Sequence, residues 1–385
     1  MIAAIAKESF PAEKRVALIP RDAGAYKKTG LGIVVEAGAG DAALHADSEY
    51  ETQGARIEPD RAAVFSAADL LLTVRGPGAH PGFPAADLDR LKKGAVVIGF
   101  LEPLAQPEAM RALAERGLTA FAMELIPRTT RAQSMDALSS MANIAGYEAV
   151  LLAAKRSPKM FPMMMTAAGT ITPSKVFVLG AGVAGLQAIA TARRLGALVE
   201  AYDIRNEVKE QVESVGARFV ELEIETEASA GKGGYAAAQS EDFYRRQREL
   251  LAKRLESVDV LITTAAVPGK RAPVLITKEM AEHLPLGAVV VDLAAEKGGN
   301  CELTQAGVEV VHQGVTILGP LNLATEAAYH ASQMYSKNLS SFVTLLVKEG
   351  KLALNLDDDI ISGTLVAHDG KVVHPAVRKA LGEGD

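Results

Sequence analysis

Val176-Phe-Val-Leu-Gly180-Ala-Gly182-Val-Ala-Gly185-Leu-Gln-Ala-Ile-Ala-Thr-Ala-Arg-Arg-Leu-Gly196-Ala-Leu-Val-Glu-Ala-Tyr-Asp203-Ile-Arg205 decides the fold. A short apolar run of β type, Val176 to Leu179, meets Gly180-x-Gly182-x-x-Gly185. An alanine-rich helical segment follows to Leu195, stopped by Gly196. A second strand, Leu198 to Tyr202, then ends at Asp203. Strand, glycines, helix, strand and acid in this order form the dinucleotide-binding fingerprint in its full context. Gly180 allows a tight turn off the strand, Gly182 leaves bare backbone for a pyrophosphate, and Gly185 lets helix and strand pack closely. The helix N-terminus, opening at Val183, offers N–H donors and a positive dipole end to the phosphates. Asp203 is placed to accept from the adenosine ribose hydroxyls and repels a 2′-phosphate, which favours NAD(H) over NADP(H). Arg205, close by, is a residue type that binds a 2′-phosphate, so the preference stays to be measured.

At 385 residues the chain is long for one core, and about two domains are expected. With 49% hydrophobic and 23% charged residues it is globular, and a net charge of −6 points to no nucleic-acid or anionic-membrane partner. Cys301 is the single cysteine, which excludes an internal disulfide and suits a reducing compartment. The N-terminus carries no basic region before its apolar residues, so no secretory signal is expected. No run of ~18 apolar residues is apparent. The nearest stretch, Met160 to Ile171, is broken by Pro162 and Gly169.

The first third alternates strand and helix signals. Strands are expected at Ile2 to Ala6, Ile33 to Glu36, Leu70 to Val74, Ala95 to Gly99 and Thr119 to Ala122. Helical patterns lie at 22–29, 49–54, 84–92 and 107–116 between them, implying a parallel sheet covered on both faces. A polar loop, Glu124 to Asn143, precedes a helix expected over Ile144 to Lys155, which one of its serines is suited to cap. It reads equally as a capped surface connection or as a ligand loop at an interdomain cleft. After the fingerprint come expected strands at Arg218 to Leu222, Val258 to Thr263, Val289 to Leu293 and, last, Val315 to Leu318. The irregular stretch Glu223 to Ser240 is too long for a plain connection. Its Gly231-Lys-Gly lacks P-loop spacing. Thr264 to Pro268 and Asp292 to Ala295 follow strand C-termini, where an open α/β sheet binds ligands. A second long helix, Ala327 to Val347, is expected to cross back with Ile144 to Lys155. The fold class is therefore α/β: two Rossmann-like doubly wound parallel sheets joined by long helices. The first domain, 1–140 with 325–385, is discontinuous, and 141–324 is the nucleotide domain. The seven histidines show no HxxxH or HExxH spacing, so no metal site is expected.

Several segments carry a family resemblance. The run Ala122-Met-Glu-Leu-Ile-Pro-Arg128-x-x-Arg131-Ala-Gln133-Ser-Met-Asp136-x-Leu-Ser139-Ser140 resembles a loop of the NAD(H)-binding component of proton-translocating NAD(P) transhydrogenases. Phe161 to Thr170, Gly182 to Ala192, Lys209 to Ser214, Pro273 to Thr277, Gly298 to Cys301 and Ser362 to Thr364 belong to the same pattern. The resemblance runs from Lys7 to about Pro375. The opening Lys7-Glu8…Glu13-x-Arg15-Val-Ala is shared with alanine dehydrogenase, a relative of the same architecture. The resemblance implies that Arg128, Gln133, Asp136 and Ser139 contact or position the nicotinamide and its ribose. It puts Gly180, Gly182 and Val183 at the pyrophosphate, and Asp203, Ile204 and Arg205 at the adenosine. Gly234 and Tyr235 fall in a loop that closes over nucleotide, and Thr264 and Pro268 fall on the cofactor edge. Met141 departs from the glutamine usual after the two serines.

The activity implied is that of an NAD(P) transhydrogenase of the Si-specific, proton-translocating type. Hydride passes directly from NADH to NADP⁺ held on a partner subunit, with no protein acid needed. The resemblance further implies a homodimer and separate NADP(H)-binding and membrane-spanning partners. The chain itself would be cytoplasmic, peripheral at the inner face of the cell membrane. Two other readings stay open. An alanine dehydrogenase carries Lys where this chain has Arg75, and a His after Phe-Leu where this chain has Glu102. A non-catalytic NAD(H)-sensing module would bind without turnover.

Overall fold

The computed structural model describes residues 1–222, 241–267 and 269–383. The expected loop at 223–240, with Gly234 and Tyr235, lies outside the described residues, as does Pro268. The chain divides into two compact units, Met1–Met141 with Thr325–Asp385, and Ala142–Ala324.

The first unit holds an eight-stranded sheet. Its order is Lys371–Val372, Leu365–His368, Thr119–Ala122, Val96–Phe100, Leu70–Arg75, Ile2–Ile5, Gly32–Glu36, Arg56–Glu58. Six neighbours run parallel in the doubly wound order, and the two strands from the C-terminal segment add antiparallel. The parallel strands are apolar on both faces: Leu70, Leu71, Leu72, Val96, Val97 and Ile98 are all buried, as a sheet covered by helices on both sides requires.

The second unit repeats the order in seven strands: Arg218–Phe219, Leu198–Tyr202, Lys175–Leu179, Val260–Thr263, Val289–Asp292, Val315–Leu318, Glu309–His312. The reversal of strand order falls between Lys175–Leu179 and Val260–Thr263. Val315–Leu318 is the last strand of the unit in chain order, as expected, but it does not form the sheet edge. Glu309–His312 pairs outside it, antiparallel, through a turn at Gln313 (φ +47°) and Gly314 (φ +79°). That is the two-residue hairpin geometry with both central residues left-handed. Asp369 (φ +47°) and Gly370 (φ +75°) make the same turn in the first unit.

The expected helix at 144–155 is longer, Ala137–Arg156, and runs across the boundary between the units. Of the described residues it alone is long and apolar enough to cross a membrane by length and composition, with mean hydropathy 1.2. Its Ala149, Val150 and Ala153 lie in the core of the second unit. Met160 to Ile171 instead contains an exposed hairpin, Met164–Thr166 with Gly169–Ile171. Ala328–Leu346, expected to cross between domains, lies within the first unit, and the return is made in the short turn Leu323–Ala327.

Candidate functional site

In the second unit the fingerprint glycines sit at the switch point, outside the carboxyl ends of the two central strands. Each glycine is required for a different reason. Gly180 has φ +97°, and a Cβ there lies 2.5 Å from Thr264 Oγ1. A Cβ on Gly185 lies 1.8 Å from the Gly180 carbonyl oxygen, so strand turn and helix touch backbone to backbone. A Cβ on Gly182 meets none of the described residues within 4 Å. The middle glycine thus faces open space while its neighbours close on protein. Helix Val183–Arg194 begins at Gly182 with no side-chain cap. Its first-turn N–H groups and positive dipole end are left for a ligand or solvent. Gly146, which sequence reasoning passed over, also belongs to this cradle: its Cβ would lie 2.1 Å from the Ala184 carbonyl oxygen. A glycine inside an alanine-rich helical pattern was the available signal.

Asp203, 6% exposed, follows strand Leu198–Tyr202. Its Oδ2 accepts from the Ala181 N–H (2.7 Å) and from the Arg205 guanidinium (2.8 Å). Its Oδ1 accepts from the Arg205 backbone N–H and Nε, both 2.9 Å. The carboxylate therefore ties the end of the second strand to the glycine turn. Ile204 is half-buried between the pair.

Thr264 starts the next β–α connection. Its N–H bonds the Leu179 carbonyl (2.9 Å) and its hydroxyl donates to the Gly180 carbonyl (3.0 Å), so it braces the glycine turn. The Asp292 carboxylate is not available as a cofactor-edge ligand. It is fully buried and accepts from the N–H groups of Ala294, Asn300 and Cys301 and from the Thr304 hydroxyl. Three of these donors converge on Oδ2 and the Ala294 N–H takes Oδ1. Asn300, missed in the sequence, carries that order to the site: its carboxamide binds both the N–H (2.9 Å) and the C=O (2.8 Å) of Ala265 and the Pro273 carbonyl (2.9 Å). Burial pushes the Cys301 thiol up to about 11, which leaves it neutral and unreactive.

In the first unit the polar loop is a turn of 3₁₀ helix, Thr130–Met135, running into helix Ala137–Arg156. The cap is Asp136 rather than a serine. Its carboxylate accepts from the Ser139 N–H (2.9 Å) and hydroxyl (2.6 Å), the N-cap to N3 bond of a helix start. Aspartate serves better than serine here because its two oxygens satisfy both donors. Ala132 and Met135 are buried beneath the loop, and Asn338 Nδ2 holds the Ser134 carbonyl at 2.9 Å. Arg131 forks onto Asp358 with two bonds of 2.7 Å and reaches Asp359. That leaves Arg128 and Gln133 exposed on the outer surface of an anchored loop, with Asp136 and Ser139 half-buried behind.

Elsewhere in this unit, carboxyl ends of the parallel strands carry buried charges. Arg15 is forked by Glu13 at 2.7 Å twice, and Arg75 lies 3.7 Å from the same carboxylate and over the Phe10 ring. Burial pushes Glu8 and Glu124 each up to about 7. Among the described residues, no group of three or more His, Cys, Asp or Glu side chains is placed to hold a metal ion.

The sequence matches the alanine dehydrogenase/PNT family along nearly its whole length: the N-terminal domain pattern over residues 4–145 and the C-terminal domain pattern over 149–375. It is 46% identical over 378 residues to the first part of NAD(P) transhydrogenase subunit alpha of Rhodospirillum rubrum, covering 97% of this chain and 98% of that one. The crystal structure of transhydrogenase from Sinorhizobium meliloti superposes with a TM-score of 0.85 at 47% identity, covering 97% and 100% of the two chains. An L-alanine dehydrogenase structure superposes at 0.82 with 25% identity, covering 100% and 99%. The chain belongs to the alanine dehydrogenase/PNT family, on its NAD(P) transhydrogenase subunit alpha branch.

Proposed function

We propose that this chain is the NAD(H)-binding subunit of a proton-translocating NAD(P) transhydrogenase. It would work as a homodimer with NADP(H)-binding and membrane-spanning subunits, at the inner face of the cell membrane. One observation carries the proposal. At the switch point, the glycine of an uncapped helix N-terminus faces open space, beside a carboxylate at the end of the second strand. These residues fit a dinucleotide: an anion is stabilised at the helix end and a ribose diol by the acid.

When bound, the dinucleotide supplies the hydride at C4 of its dihydronicotinamide ring. The chain's own work is placement. Gly180, Gly182 and Val183 seat the pyrophosphate, with Gly185 packing the helix onto the turn and Thr264 holding the turn in shape. Asp203, Ile204 and Arg205 meet the adenosine. By resemblance, Arg128, Gln133, Asp136 and Ser139 are assigned to contacting or positioning the nicotinamide and its ribose. Because hydride moves from carbon to carbon, no oxygen or nitrogen changes protonation. The residues have only to align the rings and exclude water, which accounts for a catalytic set without histidine. Gly234, Tyr235 and Pro268 are assigned to the same nucleotide site by resemblance.

The first unit would be a substrate domain without a substrate, kept for docking. Glu102 supports this, since alanine dehydrogenases carry a histidine at that place after Phe-Leu.

The test has three measurements. NADH is titrated against NADPH by quenching of protein or nucleotide fluorescence; preference for NADH is expected. The NADP(H)-binding partner is then added, and prompt reduction of NADP⁺ by NADH is expected. Binding without turnover would identify a sensing module instead. NADH formation from NAD⁺ and L-alanine at ordinary enzymatic rates would refute the assignment in favour of an alanine dehydrogenase.

A further inference from the structure

Asp203 has no acceptor site to spare. A carboxylate offers about four lone-pair positions, and here four donors take them: the N–H groups of Ala181 and Arg205, and two nitrogens of the Arg205 guanidinium. The pair is largely shielded, with the two side chains 14% and 6% exposed. The guanidinium contributes two parallel donors, one to each oxygen: Nε to Oδ1 at 2.9 Å and a terminal nitrogen to Oδ2 at 2.8 Å. Those are the positions that the two hydroxyls of a vicinal diol would take on the same carboxylate. The backbone donors of Ala181 and Arg205 occupy the remaining position on each oxygen.

We propose that Arg205 is an internal competitor for the ribose diol. Its side chain holds the diol's two places on Asp203, so that nucleotide binds by displacing the guanidinium and is released when the guanidinium returns. This rests on the assignment of the adenosine ribose to Asp203. Arg205 is then a residue that sets affinity and residence time, not one that recognises a 2′-phosphate. The balance is between two donor pairs of similar geometry. The charged pair is the stronger, because a guanidinium–carboxylate fork is charge-assisted on both sides. Removing it leaves two unmet acceptor sites in a shielded place, which the diol then satisfies at no competing cost.

The experiment compares wild type with Arg205→Met, Arg205→Lys and Asp203→Asn, alone and with Arg205→Met in the Asp203→Asn background. Equilibrium and stopped-flow fluorescence with NADH, NAD⁺ and NADPH give affinities and release rates, and ligand-induced shifts in melting temperature give an independent readout. Arg205→Met is expected to bind NADH about tenfold tighter, mainly through slower release. Arg205→Lys, which keeps charge but loses the fork, is expected to fall between. The gain should vanish in the Asp203→Asn background, because the coupling runs through that carboxylate. A structural role for Arg205 would lower the melting temperature of the free protein without producing that coupling.

Unchanged or weaker NADH binding by a folded Arg205→Met protein would overturn the proposal. So would a loss confined to NADPH, which would assign Arg205 to the phosphate. Wild type that binds neither NADH nor NAD⁺ would instead refute the underlying nucleotide reading. Should Arg205→Met fail to fold, the Lys variant and its double-mutant partner carry the same comparison.

Discussion

The three fingerprint glycines make opposite predictions about stability and binding. Gly182→Ala introduces a methyl that touches none of the described residues, at φ −74° and ψ −169°, which alanine adopts without strain. The substitution reduces the freedom of the unfolded chain, worth about 0.4–1 kcal/mol. It weakens an N-cap by a comparable amount, roughly 0.5–1 kcal/mol. The two offset, so stability should change by less than about 0.5 kcal/mol. The methyl nevertheless fills the space assigned to the pyrophosphate, and NADH affinity should fall by at least about 100-fold, roughly 2.7 kcal/mol. Gly185→Ala behaves the other way. Its methyl would sit 1.8 Å from the Gly180 carbonyl oxygen, a backbone atom that no rotamer change can move. Helix and strand must separate, at a cost of about 3 kcal/mol, which lowers the melting temperature by about 6–12 °C in a unit of this size. Gly180→Ala combines a left-handed φ of +97° with a methyl 2.5 Å from the Thr264 hydroxyl, costing at least roughly 1–2 kcal/mol. Urea denaturation and NADH titration of the same preparations separate the effects. A stable Gly182→Ala protein that binds NADH as wild type does would refute the placement of the phosphates, and with it the functional reading.

Gln133→Asn should leave stability unchanged, because the side chain is exposed, yet slow hydride transfer by about 100-fold with little loss of NADH affinity; equal losses in single-turnover rate and affinity would make the loop a mere anchor. Arg131→Ala should change global stability little, since the arginine is half exposed, while hydrogen exchange in Thr130–Met135 quickens as the loop loses its anchor; unchanged protection would show that Ala132, Met135 and Asn338 suffice. Asp358 in that pair is held down to about 2 by Arg131. Its contribution is therefore present above about pH 4 and is lost as pH falls through about 2; an acid-unfolding curve that Arg131→Ala does not shift would refute it. Glu8 and Glu124 run the other way: burial raises each from 4.5 to about 7, so the native chain holds more protons across that window and their contribution to stability declines as pH rises from about 4.5 to 7. Glu124→Gln should flatten this slope and stabilise the protein at about pH 8 by on the order of 1–3 kcal/mol; an unaltered slope in urea titrations would exclude it.

Much of this was legible in the sequence, because it depends on local rules. Alternating apolar runs and helical patterns give the two doubly wound sheets, and the glycine spacing gives the nucleotide turn. What the sequence hid was decided by donors arriving from elsewhere in the chain. In the sequence Asp203 and Asp292 look alike as aspartates closing apolar strands, and Asp136 is one polar residue in a polar loop. Two donors from one helix turn make Asp136 a cap, and four buried donors make Asp292 a scaffold. At Asp203 two of four donors come from one side chain that can leave. Helix and strand ends shifted for the same kind of reason: Ala137–Arg156 begins seven residues before the apolar pattern does because a cap, not hydrophobicity, starts it. The edge strand Glu309–His312 has an exposed, partly polar sequence, and only its turn geometry reveals it.

Two sheets of the same order thus end differently at their switch points. In the second unit the turn is emptied by glycine: Gly182 faces space, and Thr264 and Asn300 hold the surrounding backbone so that it stays empty. In the first unit the corresponding strand ends are filled from within. Glu13 occupies the Arg15 fork, Arg75 lies between the same carboxylate and Phe10, and the Glu8 carboxylate bonds the backbone of Val74 and Arg75. Removing one member of such a buried set leaves an uncompensated charge and costs several kcal/mol, so the set persists once formed. The open glycine turn is the physical ground for assigning nucleotide binding to the second unit.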